Sequence, residues 1–238
     1  STGTWGNSYS DSWGLHAIQA KTAWPVTTGS RTIVVAVIDT GIDYNHEDIS
    51  QNMWSNKGEI GKDANGQDKR TNTIDDDANG YVDDWRGYDF ETFVEPIRDN
   101  DPMDTMGHGS HVAGIIGAVG NNRVGIPGVN WQATIMNLRG LGQEGGYETD
   151  LAEAIVYAAD NGAKVINMSW GGEGDSMVLR DAITYAHLKG VTQVAAAGNS
   201  STDASNFYPA ANPDVLTVSA WCPPAQDAIC SVPSTLAS

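Results

Sequence analysis

Apolar residues along this chain follow two alternating patterns, one typical of buried strands and one typical of amphipathic helices. The first strand-like run, Thr32 to Ile38, is β-branched and apolar enough to be buried on both faces of a parallel sheet. Further strands are predicted at 133–138, 164–169, 191–197 and 215–220. Apolar residues at helical spacing lie between them, ahead of Gly162 and Gly190, in two sets: Leu151, Ala154, Ile155 and Ala158, then Leu179, Ala182, Ile183 and Ala186. Strands that alternate with helices predict right-handed βαβ units and an α/β fold, a doubly wound, mostly parallel sheet with helices on both faces.

One long stretch, from about Asp48 to Met106, departs from this pattern. It is polar, acidic and rich in glycine and asparagine, and it is too long for a bare connection, so we expect it to have a function. After it, His108 to Val119 predicts a helix that packs closely through small residues. No repeat or linker divides the chain, so we expect 1–238 to form one partial domain with an insertion at about 48–106.

Two segments carry candidate catalytic groups. Asp39 ends the first strand, at the sheet edge where open α/β folds place their sites, although it could instead be a loop aspartate that caps the next turn. His108 is flanked by Gly107 and Gly109, which leave room for a substrate backbone. His111 would lie one helical turn further and could make half of a metal site; with no obvious third ligand, a packed, hydrogen-bonded histidine is the favoured interpretation.

Two later segments add to these. Asn199 follows a strand and the small residues Ala195 to Gly198, and a side-chain amide there can donate a hydrogen bond to a developing oxyanion. The alternative is an ordinary turn asparagine. The segment 165–172 is a strand that runs into glycines, and its edge could pair with an extended peptide.

In this order on an alternating α/β chain, these segments resemble the subtilisin-like serine proteases from about Trp13 to Ala220. The triad of that family runs Asp, His, Ser along the chain. The resemblance implies that Asp39 orients the imidazole of His108, that His108 is general base and then acid, and that Asn199 is the oxyanion donor.

The resemblance also implies a substrate cleft. Ser169, Trp170 and Gly171 resemble one wall of the S1 cleft, and Gly145 with Gly146 resembles the opposite substrate strand. The family usually has threonine where Ser110 stands, a change that keeps the hydroxyl. The implied substrate is an extended polypeptide, cleaved through an acyl-enzyme.

The segment 75–84 places oxygen-bearing side chains at alternate positions around Gly80, like the first part of an EF-hand loop. Arg86 stands at the twelfth position, so the loop is not a true EF-hand, and a solvated acidic loop is the alternative. Hard oxygen ligands favour calcium over zinc. Many subtilisin-like proteases bind calcium in such an insertion, and the candidate ligands here are Asp75, Asp77, Asn79, Tyr81, Asp83 and Asp84.

A second calcium site is implied by the resemblance alone. Asp48 stands where the family has a calcium carboxylate, and the loop 119–126 resembles the family's carbonyl-rich calcium loop. The implied ligands are Asp48, Val119, Asn122, Val124 and Ile126.

The chain contains no Gly-Thr-Ser-Met-Ala-like string that would carry the nucleophile. Ser231, Ser234 and Ser238 lie in an irregular, proline-containing tail. We therefore expect the chain to be a fragment or nicked product of a longer protease, or the remainder of the protease to be a separate chain that is its partner. In each case we expect the chain alone to be inactive and its incomplete sheet to expose a large apolar face. The alternatives are a catalytically inactive homologue that binds peptides or proteins, and a calcium-binding structural module.

Composition limits the partners and the compartment that we expect for the chain. The net charge of −17 argues against nucleic acid or an anionic membrane as a partner and suits a secreted, cation-binding protein. No apolar run approaches the ~18 residues that span a bilayer, and no leader precedes the chain, so we expect any signal peptide to have been removed. Cys222 and Cys230 predict a disulfide in an oxidising compartment, with two free thiols as the alternative.

Overall fold

The computed structural model describes residues 12–92, 98–200 and 202–220. Its centre is a six-stranded parallel sheet in the order β2-β3-β1-β4-β6-β8. The strands of this sheet are β1 Val34–Asp39, β2 Tyr88–Asp89, β3 Thr134–Arg139, β4 Val165–Met168, β6 Thr192–Ala196 and β8 Val215–Val218. Two short strands, β5 Gly172–Glu173 and β7 Phe207–Tyr208, pair antiparallel beside it.

Five helices accompany the strands in the described part of the chain: α1 Trp13–Ala17, α2 Ala20–Ala23, α3 His108–Gly117, α4 Glu148–Asp160 and α5 Met177–Leu188. The predicted doubly wound α/β class is confirmed, and each predicted strand and helix exists with ends shifted by a few residues. The helix from His108 ends at Gly117 instead of Val119, and the last strand ends at Val218. No described helix is long and apolar enough to cross a membrane.

Helices cover both faces of the sheet because side chains alternate along each buried strand. On one face, Val37 and Ile135 form a buried cluster with Ala113 of α3. On the other face, Ile38 and Leu138 form a larger cluster with α4 and α5. The carboxyl ends of β1, β3, β4 and β6 therefore share one edge between these layers, which is where open α/β sheets place their sites.

Part of the α3 face is open. An apolar trough of about 570 Å³ lies beside α3, and its floor includes Val165 of β4 and Val194 of β6. Further along the same face, Leu216 and Val218 of β8 are 61% and 57% exposed. The trough and these side chains together form an exposed apolar region on this face of the sheet. The two cysteines and the three tail serines named above lie outside the described residues.

Candidate active site

A histidine and a buried aspartate meet at this edge of the sheet. Asp39 is the last residue of β1 and is fully buried, whereas His108 opens α3 and its side chain is 52% exposed. Nδ1 of His108 lies 2.7 Å from Oδ1 of Asp39. With Nδ1 engaged, the second ring nitrogen remains available for proton transfer, so the pair can act as an oriented general base.

The close approach of α3 to β1 depends on Gly109. A Cβ on this residue would lie 2.0 Å from the Gly41 carbonyl oxygen and 3.1 Å from Cβ of Asp39. The backbone N–H of Gly109 donates to the hydroxyl of Thr40 at 2.9 Å. A side chain at this position would push the helix, and His108 with it, away from the carboxylate.

Asp104 holds the first turn of α3, which has no cap from Gly107. Its carboxylate accepts hydrogen bonds from the N–H groups of Met106, Gly107 and Ser110 and from the hydroxyl groups of Thr40 and Ser110. Partial burial opposes ionisation, but these donors outweigh it and hold the pKa of Asp104 below its usual value. Asp104 was not predicted from the sequence; an aspartate four residues before a helix was the available signal.

The loop after β4 lies directly beside the pair. Trp170 donates from its indole N–H to the carbonyl oxygen of Ile38 at 2.8 Å, which ties this loop to the strand that carries Asp39. Ser169 accepts a hydrogen bond from the side-chain amide of Asn167 at 2.9 Å. The predicted S1 wall is thus anchored at the same edge as the Asp39–His108 pair.

The other predicted site residues share this edge. Asn199 is exposed and follows β6, the neighbour of β4. Gly145 follows β3, the opposite neighbour of β1, and exchanges two backbone hydrogen bonds with Gly142 in a tight turn. Gly146 packs against the carbonyl of Gly140, where a Cβ would approach to 2.1 Å. The sheet order therefore sets Gly145–Gly146 and Asn199 on opposite sides of the Asp39–His108 pair.

A cluster of three acidic residues lies in the long insertion. Single oxygen atoms of Glu59, Asp75 and Asp77 all lie within 4.8 Å of one another. Glu59 is completely buried; its Oε1 accepts from the N–H groups of Asp76 and Asp77, and its Oε2 has no hydrogen-bond partner among the described residues. Burial, with the nearby carboxylates of Asp84 and Asp77, raises the pKa of Glu59 to about 7. A buried carboxylate that has one unpartnered oxygen and lies close to two other carboxylates fits a hard cation.

The remaining predicted ligands of this loop make other contacts. Asp84 is buried and accepts hydrogen bonds from Asn56, Asn79 and Tyr157, and burial raises its pKa. Asn79 uses its side-chain oxygen to accept from the N–H of Tyr81, and Asp83 accepts from the N–H of Thr73. The structure therefore brings Asp75 and Asp77 together with Glu59, which sequence reasoning missed because no spacing rule links it to the loop.

The second predicted calcium loop wraps around Asp48. Oδ1 accepts from the side-chain amide of Asn122 at 2.6 Å, Oδ2 accepts from the N–H of Ile126, and the Asp48 carbonyl accepts from the N–H of Val119. The N–H of Val124 donates to the side-chain oxygen of Asn122. Gly125 makes the cradle possible, because a Cβ there would lie 2.3 Å from Oδ2 of Asp48.

Comparison with known proteins places the chain in a family. Residues 30–231 match the model of the subtilase family, Peptidase_S8. The chain belongs to the subtilase family.

Similar subtilases include secreted and thermophilic bacterial enzymes. A thermophilic serine proteinase from a Bacillus species (strain AK1) is 39% identical over 199 residues, covering 83% of this chain and 40% of that protein. An extracellular basic protease from Dichelobacter nodosus is 34% identical over 232 residues, covering 91% of this chain and 37% of that protein. A solved protease from Pseudoalteromonas arctica superposes with a TM-score of 0.65 at 30% identity, covering 82% of this chain and 58% of that one. The chain thus spans 37–58% of the length of these relatives.

Proposed function

We propose that this subtilase chain carries the acid–base half of a secreted, calcium-stabilised serine endopeptidase that cleaves polypeptides. The observation that carries the proposal is the 2.7 Å contact between His108 and the fully buried Asp39. A buried carboxylate fixes the imidazole orientation and stabilises the imidazolium that forms during proton transfer. Secretion is supported by the net charge of −17 and by the relative named as an extracellular protease.

In the proposed reaction, a serine hydroxyl supplied by a downstream segment attacks the scissile carbonyl while His108 takes its proton. The side-chain amide of Asn199 donates to the oxyanion that develops, a contribution worth about 3 kcal/mol in subtilisin. His108 then gives the proton to the leaving amine, which breaks the peptide bond and leaves the acyl-enzyme. Water attacks the acyl carbonyl with His108 again as base, which releases the acid product and restores the serine.

The downstream segment is proposed to cover the open apolar face beside α3. Its trough of about 570 Å³ adjoins the C-terminal half of the helix that carries His108, with Ile115 and Ile116 in its lining, so a segment that continued along α3 to the start of the helix would reach the imidazole. Exposed apolar patches of this kind mark interaction surfaces. The downstream segment is therefore proposed to cover the open apolar face and to supply the nucleophilic serine.

Calcium is proposed as the stabilising cation of both loops. Glu59, Asp75 and Asp77 would hold it in the insertion, with Asn79, Tyr81, Asp83 and Asp84 in the surrounding loop. Asp48 with the 119–126 loop would hold a second ion. Bound calcium offsets the repulsion between carboxylates and keeps these irregular segments folded, and it takes no part in peptide cleavage.

The experiment compares the 238-residue chain with a form extended through the downstream segment. Both are assayed for peptide hydrolysis and treated with a serine-directed phosphonylating reagent, with the label located by mass spectrometry. We expect hydrolysis and a labelled downstream serine in the extended form only, and loss of both in His108→Ala. The control His187→Ala changes an exposed histidine on α5 and should retain both.

Failure to label any serine in an extended form that folds would reject the peptidase and favour a peptide-binding homologue without activity. Cleavage by the short chain, with label on Ser231, Ser234 or Ser238, would reject the downstream nucleophile.

A further inference from the structure

A fully buried asparagine lies in the middle of the sheet, on β3. Asn137 is in register with Val37 of β1, and it shares a face of the sheet with Ile135 because side chains alternate along a strand. Its exposed fraction is 0%, and its Oδ1 has no hydrogen-bond partner among the described residues. A buried polar side chain lowers stability unless its atoms are hydrogen-bonded, so packing alone does not explain an asparagine at this position.

The NH₂ group of Asn137 joins the two loops that carry the Asp39–His108 pair. Nδ2 donates to the carbonyl oxygen of Ile42 at 3.2 Å and to the carbonyl oxygen of Pro102 at 2.9 Å. Because carbonyl oxygens only accept hydrogen bonds, the amide has its NH₂ end on this side. Ile42 belongs to the loop that follows Asp39, and Pro102 belongs to the loop that precedes His108. One buried side chain thus sets the distance between these loops.

The two loops are in backbone contact at this point. The N–H of Ile42 donates to the carbonyl oxygen of Pro102 at 3.2 Å. A Cβ on Gly41, whose φ is +93°, would lie 2.5 Å from the same oxygen and 2.9 Å from the backbone nitrogen of Asp104. Asp104 accepts hydrogen bonds from N–H groups at the start of α3, where His108 lies. A displacement at Pro102 is therefore passed to the imidazole through Asp104.

We propose that Asn137 is a positioning residue that holds Nδ1 of His108 at hydrogen-bond distance from Asp39. The inference rests on the proposed function, which it deepens by naming what keeps the general base in place. Asn137 acts through the two loops and takes no part in proton transfer. Misplacing a catalytic group by about 1 Å can lower a rate by about 10²-fold. Such a shift would break the 2.7 Å contact between Nδ1 and Oδ1.

A second buried asparagine provides a matched control. Asn52 is also 0% exposed, and its Oδ1 has no partner among the described residues. Its Nδ2 donates to the carbonyl oxygens of Gly117 at 2.8 Å and Trp131 at 3.0 Å. Gly117 is the last residue of α3, so Asn52 holds the end of the helix opposite His108. Asn137→Leu and Asn52→Leu therefore each remove two amide-to-carbonyl hydrogen bonds from a buried site, one at each end of α3.

The first test uses the 238-residue chain and needs no nucleophile. The histidines are labelled with ¹⁵N, His108→Ala assigns the resonances, and NMR spectra are recorded at about pH 9, well above the usual pKa of histidine. We expect a single His108 tautomer with a protected Nδ1–H proton in the native chain and in Asn52→Leu. In Asn137→Leu both tautomers should be populated, and the Nδ1–H proton should exchange with water about tenfold faster, since the structure around it opens more easily.

Melting temperatures control for a general loss of stability. The two leucine variants should melt below the native chain by similar amounts, because they lose the same kind of hydrogen bonds. If Asn137→Leu does not fold, Asn137→Thr and Asn52→Thr take the place of the leucine pair, and the same difference between the two positions is expected.

A native Nδ1–H signal in Asn137→Leu, or an equal loss of this signal in Asn52→Leu, would overturn the proposal. In the extended form, Asn137→Leu should lower kcat for peptide hydrolysis by about 10²-fold and leave KM unchanged, because only the base is misplaced. An unchanged kcat, or a change in KM alone, would also overturn it. If the native extended form hydrolyses no peptide, the proposed function is wrong, whereas the NMR comparison still decides whether Asn137 holds the Asp39–His108 pair.

Discussion

The two carboxylate oxygens of Asp39 have different surroundings. Oδ1 accepts hydrogen bonds from Nδ1 of His108 and from the N–H of Thr40, both at 2.7 Å. Oδ2 is buried and has no partner among the described residues. Oδ1 of Asp39 therefore fixes the imidazole tautomer of His108 that carries its proton on Nδ1. The carboxylate of Asp39 also stays close to the imidazole ring.

We expect Asp39→Asn to lower kcat of the extended, active form by about 10⁴-fold, since an amide can present its NH₂ to Nδ1 and favour the wrong tautomer. Steady-state peptide hydrolysis measures the loss, and phosphonylation of the nucleophile should slow in parallel. The control Asp175→Asn changes an exposed carboxylate outside the pair and should leave kcat unchanged. A loss of less than about tenfold would contradict the assigned role of Asp39.

Ser110 makes two hydrogen bonds with one hydroxyl. It donates to Oδ2 of Asp104 at 2.6 Å and accepts from the N–H of Asp43 at 2.8 Å. Ser110→Ala removes both bonds, one of them to a charged group, so we expect a loss of about 2 kcal/mol in the free energy of unfolding. Ser110→Thr keeps the hydroxyl and should cost far less. Urea unfolding of the three proteins compares them, and equal losses in the two variants would refute the argument.

The start of α3 depends on the charge of one side chain, Asp104. Asp104 satisfies N–H groups of the first helical turn, which otherwise lack partners, and its negative charge is favourable at a helix N-terminus. Its pKa is lowered in the folded chain, so its contribution is fully present above the usual aspartate pKa and is lost as pH falls through the lowered value.

Acidification below about pH 4 should therefore destabilise the native chain more than Asp104→Asn, in which this carboxylate no longer titrates. At pH 7 the variant should be less stable by about 1 kcal/mol, the usual cost of losing a helix cap. Thermal melts across pH 3–7 measure the difference. Parallel profiles of stability against pH for the two proteins would show that protonation of Asp104 does not affect the stability of the chain.

The proposed calcium site in the acidic insertion can be tested at Glu59, its buried candidate ligand. With 100-fold excess of calcium over its Kd, a single site should stabilise the chain by about 2.7 kcal/mol, which chelator removes. Glu59→Gln should shrink this gain, yet at pH 8 without calcium it should be at least as stable as the native chain, because it removes a charge that burial disfavours.

Calorimetric melts of the native chain and of Glu59→Gln, with calcium and with chelator, test whether the variant is the less stable protein only when calcium is present. Glu173→Gln, which changes an exposed glutamate on β5, serves as the control. A variant that is less stable than the native chain by the same amount in both buffers would place Glu59 in a purely structural role.

The strands and helices could be predicted where burial imposes a regular spacing of apolar residues along the sequence. Val34–Asp39 lies close to its predicted bounds, because a strand buried on both faces must be apolar throughout. Met177–Leu188 contains the predicted apolar set and ends before Gly190, because the buried face of the helix must be apolar. The contact of Glu59 with Asp77 and the position of Phe207 were not predictable, since residues far apart in an irregular chain meet only through tertiary packing. The pairing of β5 with β7 has the same origin, as two-residue strands carry no periodicity.

At the scale of the whole molecule, the sheet is covered on one face and partly bare on the other. Helices α4 and α5 bury the first face, whereas on the second face α3 is the one helix among the described residues that packs in the buried cluster, and β6 and β8 stay open beside it. The exposed apolar side chains of β8 contribute little to the stability of the 238-residue chain, because they remain in water. They would contribute only if a further segment packed over them.

This asymmetry gives a test of whether the open face is an interface. Leu216 is 61% exposed, so Leu216→Gln should change the stability of the 238-residue chain by less than about 0.5 kcal/mol. In the extended form the same side chain should be buried, and the substitution should then cost about 1.5–3 kcal/mol, the value of burying a leucine. Leu188→Gln, at 80% exposure on α5, should be neutral in both forms. Chemical unfolding of all six proteins gives the two differences. If Leu216→Gln costs the same in the short and extended forms, the downstream segment does not cover β8, and the proposed assembly of the active site over this face is wrong.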